Sequence, residues 1–576
     1  MKRIIEIIKI KPNIYKEFLS IFFSFFTIFG YSYSKQNNWD LIFGNKMNLV
    51  KSFFIFLLLF IFFRIIIEIL FEYLISKIKY KPTENKLLKF IFKKYSFIIP
   101  FIIIIICWIP YVFAYYPGIL MQDSREQVKQ FYGIEASGAT NSVRLIDENV
   151  KITNHHPVLH TLVLGGLIKL GGKIVNDNFG VFLYTVMQVI ILASSFAYII
   201  KYMNRLKTPY WIRIITLICF AILPFFPFYA VKITKDTIFT ALIIFYIIEL
   251  HKMIKKADYK EKYKILDVTK LIILFLLTAL VRNNGIYNII LSFPLLLLID
   301  KNNRKIIVCI TFFVFFLYKI YTGLLLPAFK IPNSSIREML SIPFQQTARF
   351  VKENEDKVTE EDKKVIAKVL EYNTLASRYN PVHADSVKNR FNKDATKQDV
   401  KNYLKIWLKQ FTISPTTYIQ ATLNNIYGYF YPWCKPVSYI ASFSIKYDKT
   451  LKKQKVINYY YNKYKKIRTN INIFLDSFEK TPVLNLIISP GFNIWVILIM
   501  IAYILYKKKY KYLIIFAPSI TLLLVCIASP VNAYFRYSMP NIFAIPLIIS
   551  IFLDIINENK EEFLDEQKNC SNNTML

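Results

Sequence analysis

Residues 52–70 read SFFIFLLLFIFFRIIIEIL. A run of this length offers close to the ~20 apolar residues that cross the hydrocarbon of a bilayer. Its hydrophobic positions are continuous rather than alternating. Only helices or closed barrels satisfy their backbones in lipid, so the segment is a helix. Residues 97–114 and 512–529 repeat the pattern. The 576 residues are 55% hydrophobic with a mean hydropathy of +0.35, too apolar for a soluble protein. The chain reads as an all-α polytopic membrane protein with about 12 transmembrane helices. They are placed at residues 14–31, 51–76, 97–115, 179–200, 211–230, 236–252, 269–281, 286–299, 305–324, 491–506, 512–530 and 538–555.

A formal charge of +36 raises nucleic-acid binding. No base-reading motif accompanies it, so no nucleic-acid partner is expected. The lysines instead punctuate the apolar runs, as in Lys77-Ile78-Lys79-Tyr80-Lys81, Lys252…Lys255-Lys256 and Lys507-Lys508-Lys509. Basic clusters at every second membrane boundary follow the positive-inside rule, which makes these connections and both termini cytoplasmic. Met1-Lys2-Arg3 is basic but lacks a small-residue cleavage site, so the first span is expected to be a retained anchor. Residues 158–172 are apolar but short, and Gly165-Gly166 and Gly171-Gly172 weaken them as a helix. They are read as an interfacial helix on the outside, because a full crossing would put the lysines of 201–207 on the wrong side.

The chain then divides into a two-span region with a cytoplasmic basic loop (1–96) and a transmembrane core (97–325) with a large external loop (116–178). An external, mainly helical domain (326–490), a three-span region (491–555) and a cytoplasmic tail (556–576) follow. The external domain is far longer than the usual ~4–6-residue connection. Its aromatic stretch Tyr427-Gly428-Tyr429-Phe430-Tyr431-Pro432-Trp433 suits either sugar rings or an aromatic belt at the headgroups, and the belt is favoured. The six cysteines show no metal-ligand spacing. Arg64, Glu68 and Glu72, spaced i, i+4 inside the second span, read as a packing device.

The polar residues of interest all fall on the external connections. Asp123 follows the Pro117-Gly118 turn, where a carboxylate can take a proton from a hydroxyl or bind a cation; it can equally cap a helix. His155 and His156 in Asn154-His155-His156-Pro157 tilt Asp123 towards chemistry. His160, one turn beyond His156, makes Asp123, His156 and His160 weak candidate metal ligands. Lys235, Arg282, Arg349 and Arg536 come from separate external segments. Together with Asp236, Asn283, Asn284, Gln345, Gln346 and Tyr537, they would suit a phosphate leaving group. Snorkelling to headgroups is the alternative for any one of the cations.

These residues resemble the multi-spanning glycosyltransferases of the GT-C superfamily and, within it, a bacterial branch labelled a domain of unknown function. The resemblance rests on Tyr116-Pro117-Gly118…Asp123-Ser124…Gln127 and Asn154-His155-His156-Pro157-Val158-Leu159-His160-Thr161. It continues through Lys235-Asp236, Arg282-Asn283-Asn284-Gly285, Gln345-Gln346-Thr347-Ala348-Arg349 and Arg536-Tyr537-Ser538-Met539-Pro540. It implies an enzyme of the bacterial plasma membrane that moves a sugar from a polyprenyl-phosphate donor to an extracytoplasmic acceptor, a cell-envelope glycan or a protein, with inversion. It implies Asp123 as the catalytic carboxylate, His155 and His156 on the acceptor or the donor phosphate, and Lys235, Arg282 and Arg536 on the departing lipid phosphate. Where related enzymes often carry an acidic pair, Ser124 follows Asp123 here, and Val158 stands where a second proline is common. No cofactor is required outright; a divalent cation, Mg or Mn, is the candidate. The alternatives are a transporter or flippase for lipid-linked sugars, and a polysaccharide polymerase or ligase using a pyrophosphate-linked donor.

Overall fold

The computed structural model describes residues 12–134, 152–437 and 464–573, with side chains as far as residue 557 and that of Ser76 left out. Met1-Lys2-Arg3, part of the 116–178 loop, part of the 326–490 domain and the end of the tail lie outside the described residues. The described chain is overwhelmingly helical, and its only named sheet among the described residues is a pair of two-residue strands.

Among the described residues six helices are long and apolar enough to cross a membrane, or up to nine spans if each bent helix pair counts as one. This is the makeup of a multi-pass membrane protein. Every one of the twelve expected segments falls on a helix, but the count of qualifying spans is smaller for physical reasons. The Ile286–Ile299 helix has 14 residues and rises only about 21 Å, less than the ~30 Å hydrocarbon core. The Ile265–Val281 helix, at 17 residues, is also short. Ile14–Gln36 is long enough, but Ser20, Ser24, Thr27 and Ser32 dilute its hydropathy. The first three of these hydroxyls donate to carbonyls four residues back, which satisfies them inside an apolar bundle.

The Ile14–Gln36 and Lys46–Ile69 helices are joined by buried charge. Lys16 Nζ donates to Glu68 at 2.9 Å and to Glu72 at 2.7 Å, and Arg64 pairs with Glu17 at 2.9 Å as well as with Glu68. Tyr506, from the Pro490–Tyr506 helix, donates to Glu72 at 2.8 Å. The Arg64–Glu68–Glu72 series is therefore a packing device, as its spacing suggests. It joins three helices, where the i, i+4 pattern alone predicts a pairing along one.

The Lys235–Asp258 and Phe535–Asn557 segments form the centre, 72% and 78% enclosed, whereas Lys46–Leu74 and Arg304–Ala328 are 22% enclosed and peripheral. Phe196 stacks on Phe220 at 4.0 Å, and Phe226 and Phe543 close the cluster. The lysine-rich connections meet at one end of this bundle: Lys255 pairs with Asp554, Lys256 with Asp267 and Lys511 with Asp258. Lys235 starts the same helix at the other end, so basic clusters and polar motifs are separated by its length.

Val158–Ile174 is an unbroken helix of 17 residues, so its glycines do not weaken it as expected. They let it approach its neighbour. A Cβ on Gly171 would lie 2.1 Å from the backbone of Gly180 in the Asp177–Arg205 helix, and one on Gly180 would strike Ile168 at 2.4 Å. The described part of the 326–490 segment is a helical unit with its own core, including Phe344, Val351, Ile366, Leu370, Tyr403 and Tyr418. Its aromatic stretch does not form a belt or an open sugar platform. Tyr427, Tyr429, Phe430 and Tyr431 are buried and only Trp433 is exposed. Tyr429 holds the following turn instead: its hydroxyl donates to the Val531 carbonyl at 2.7 Å and accepts from the Tyr534 amide at 3.1 Å.

Candidate active site

Asp123 is placed by a short parallel ladder. Strand β1 (Ile119–Leu120) pairs with β2 (Lys232–Ile233), Ile119 opposite Lys232 and Leu120 opposite Ile233. The chain leaves β1 into the Gln122–Phe131 helix and leaves β2 into Lys235–Asp258, so Asp123 and Lys235 emerge side by side. Ser124 Oγ donates to the Ile233 carbonyl at 2.6 Å and pins the two starts together. Gln188 Nε2 donates to the carbonyls of Ala230 and Lys232, fixing β2 from behind.

The turn into β1 needs glycine. Gly118 has φ +133°, and a Cβ there would lie 2.1 Å from Thr185 Oγ1, which itself donates to the Pro117 carbonyl. Gly118→Ala is expected to cost roughly 1–3 kcal/mol or more through backbone strain alone. A lowered thermal unfolding midpoint of the purified protein checks this; an unchanged midpoint would contradict it.

Around Asp123 the charges alternate. Asp123 Oδ2 accepts from Lys235 Nζ at 3.2 Å and from Arg536 Nη1 at 2.8 Å. Lys235 Nζ also donates to His156 Nδ1 at 3.3 Å; because an ammonium has no lone pair, Nδ1 is the acceptor and the ring proton sits on Nε2. Behind them Asp236, with no exposure, faces Arg536 Nε at 3.3 Å and Arg282 Nη1 at 3.4 Å, and accepts from Thr234 Oγ1 at 2.9 Å. The Tyr537 ring lies close to both guanidiniums, 5.3 Å from Arg282 and 5.4 Å from Arg536. Two carboxylates and three cations thus share one site. Burial pushes the Asp123 carboxyl up, but Arg536 and Lys235 outweigh it and hold the group well below the usual carboxylate range. Burial and the Lys235 ammonium keep His156 far below its ordinary value, so it is a neutral imidazole.

The DUF6020 family, a family of unknown function, matches residues 6–569. The chain belongs to the DUF6020 family. No curated protein and no solved structure matches it.

In this DUF6020 chain the site gathers Asp123, His156, Lys235, Asp236, Arg282, Arg536 and Tyr537. His155 touches it from the rim, its ring 4.6 Å from that of His156 and its Nδ1 3.0 Å from Ser334 Oγ. Asn283 acts indirectly, donating to the Asn154 carbonyl at 2.8 Å, and Asn284 is exposed. Gln345, Gln346 and Arg349 are not drawn in. Gln345 donates to the Asn380 carbonyl, Gln346 bonds Thr422 and Trp407, and Arg349 pairs with Glu353 beside Tyr379. Their motif serves the helical unit, whose own polar contacts absorb them.

The metal set does not assemble either. His160 Nδ1 donates to Gln127 Oε1 at 2.9 Å and its Nε2 accepts from the Tyr184 hydroxyl at 2.7 Å, so neither nitrogen is free for a cation. Among the described residues no group of three His, Cys, Asp or Glu side chains is arranged to hold a metal ion, so the residues present do not fit Mg or Mn. His160 has a stability consequence. Burial holds its imidazole down to about 3, so the folded protein refuses a proton that the unfolded chain takes near 6.5. Its contribution is present above about pH 6.5 and is lost towards pH 3, at about 1.4 kcal/mol per pH unit. Thermal unfolding from pH 7 to 4 should therefore fall less steeply in His160→Asn than in the native protein.

Sequence reasoning missed Ser334, Glu338, Lys388 and Lys232. Glu338 accepts from Lys388 at 2.7 Å, and the pair stands close enough to His155 to act on its charge. Nothing local in 330–390 signals that approach, because it depends on how the helical unit docks. Lys232, buried with its ammonium 4.5 Å from the centre of the Tyr229 ring, is driven down to about 7 by that burial. Its neighbour Lys235 masks it in a sequence reading.

Proposed function

We propose that this protein is a membrane glycosyltransferase of the GT-C kind, moving a sugar from a polyprenyl-phosphate donor to an acceptor outside the cytoplasm of a bacterium. The observation that carries this reading is the Asp123 carboxylate held against Lys235 and Arg536, with Asp236 and Arg282 behind it. A partly accessible carboxylate beside fixed guanidiniums supplies the two things sugar transfer needs. Asp123 receives the acceptor's hydroxyl proton as that oxygen bonds to the anomeric carbon. The bond from that carbon to the phosphate oxygen breaks, its electron pair leaves with the lipid phosphate, and Arg536, Arg282 and Lys235 take up the charge. Attack opposite the leaving group inverts the anomeric centre. The neutral His156 offers its Nε2–H to the acceptor or the phosphate.

The membrane arrangement that belongs to this reading has twelve spans, counting each bent pair as one and adding Ile14–Gln36, Ile265–Val281 and Ile286–Ile299, with both termini and the lysine-rich end in the cytoplasm and the Asp123 site outside. A transporter or flippase would place its substrate site near mid-membrane, often on broken helices in paired repeats. Here Lys235, Arg282 and Arg536 all sit where helices start or stop, which favours an enzyme at the surface. Counterflow of a labelled lipid-linked sugar across reconstituted vesicles would reverse that preference. Transfer itself is tested by incubating the reconstituted protein with a panel of polyprenyl-phosphate sugars and following release of polyprenyl phosphate. No release from any member would count against the proposal.

A further inference from the structure

Both cations that touch Asp123 bond the same oxygen, Oδ2, and Oδ1 has no partner among the described residues. In this resting arrangement the carboxylate is a weak proton acceptor, since its charge is already neutralised twice over. At the same time the site keeps two guanidinium donors and one carboxylate acceptor without hydrogen bonds. Arg282 Nη1, Arg536 Nε and Asp236 Oδ1 are buried and, among the described residues, make no hydrogen bond; their ion pairs at 3.3–3.4 Å lack hydrogen-bond geometry. Arg282, whose buried Nη1 makes no hydrogen bond, and Arg536, whose Nη1 reaches only the rim carboxylate of Asp123, are poised for an oxyanion with several acceptor lone pairs.

Accessibility is graded in the same sense. Side-chain exposure is 26% for Asp123, 14% for Lys235, 9% for Arg536 and nil for Asp236. The Asp123 contacts form the openable rim, and Asp236 is the fixed floor. Arg536 is held to that floor through Nε, so its Nη1 can change acceptor without the side chain coming loose. The groups facing Asp123 are Lys235, Arg536 and the neutral His156, with Asp236 and Tyr537 behind; the three cations exceed the two carboxylates by one charge.

We infer that a phosphate oxyanion switches this site on by taking Lys235 and Arg536 away from Asp123, so that the lipid-linked donor binds before the acceptor is activated. This rests on the sugar-transfer reading above. In the exchange no bond to hydrogen breaks: the ammonium and the guanidinium keep their protons and trade a carboxylate oxygen for a phosphate oxygen. Asp123 is released with its negative charge restored, and only then is it basic enough to receive the acceptor's proton. With no donor present the carboxylate stays locked, which also guards a bound acceptor from idle deprotonation.

The test follows the Asp123 carboxylate by infrared difference spectroscopy of the full-length protein in phosphatidylcholine nanodiscs, titrated with acid. Asp123→Asn identifies the band by its loss; should that variant not fold, Asp123→Glu identifies it by its displacement. Inorganic phosphate and farnesyl phosphate are the probes, and their binding is read separately as a rise in thermal stability. Binding accompanied by an upward move of the Asp123 midpoint by roughly 1–3 pH units supports the switch. Binding with the midpoint unmoved overturns the switch and leaves the phosphate site standing. Absence of binding by both probes removes the phosphate site and the switch together. A midpoint already raised in phosphatidylglycerol nanodiscs without either probe assigns the effect to ambient headgroups and overturns control by the donor.

Discussion

Asp123→Asn is expected to lower sugar transfer by about 100- to 10,000-fold, the range associated with loss of a positioned general base, while the protein still folds. The separation of the two effects follows from position. Asp123 lies at the rim, and Arg536 keeps its contact with Asp236 when the Asp123 carboxylate is gone. Lys235 retains His156 as an acceptor. Turnover of a polyprenyl-phosphate sugar by the variant, measured beside its thermal unfolding, decides the matter. Near-native turnover by a folded variant would remove Asp123 from the chemistry.

The neighbouring acid should behave in the opposite way. Asp236 has no exposure and faces two buried guanidiniums, so Asp236→Asn leaves both without a counter-charge in the interior. Breaking one side of a buried ion pair typically costs 3–5 kcal/mol, and the loss here is expected to reach at least about that size. In practice the variant should express poorly or unfold far below the native protein. A well-folded Asp236→Asn protein would show that the floor of the site does not depend on this charge. The pair of variants is informative together: adjacent acids of like chemistry, one governing turnover and the other the fold.

Much of the architecture is legible in the residues themselves. Apolar runs such as 52–70 name the helices, because lipid permits few other backbones. The number of spans is not legible in the same way, since Ile286–Ile299 is shorter than a crossing helix and hydroxyls dilute Ile14–Gln36. The glycines of Val158–Ile174 show why composition alone misleads: Gly171 weakens a helix in isolation and enables close packing in company.

The clustering at the candidate site is legible too, through Asp123, His156, Lys235, Asp236, Arg282, Arg536 and Tyr537. Each stands in a short polar motif at the end of an apolar helix, and helix ends on one side of a bundle have few places to go. What the residues do not disclose is the ladder between β1 and β2 that sets Asp123 beside Lys235, since two residues a strand leave no pattern. Gln345, Gln346 and Arg349 looked equally polar, yet their partners Asn380, Thr422 and Glu353 are nearby in their own helical unit. Tyr429 looked like a surface aromatic and instead supports the turn leading to Arg536.

The most direct measurement of the central claim is mass analysis of envelope glycans from three otherwise identical bacterial strains: native, lacking this protein, and carrying Asp123→Asn at native abundance. One sugar increment present in the first strain and missing from both others is the predicted result. Identical glycan masses in all three would contradict it.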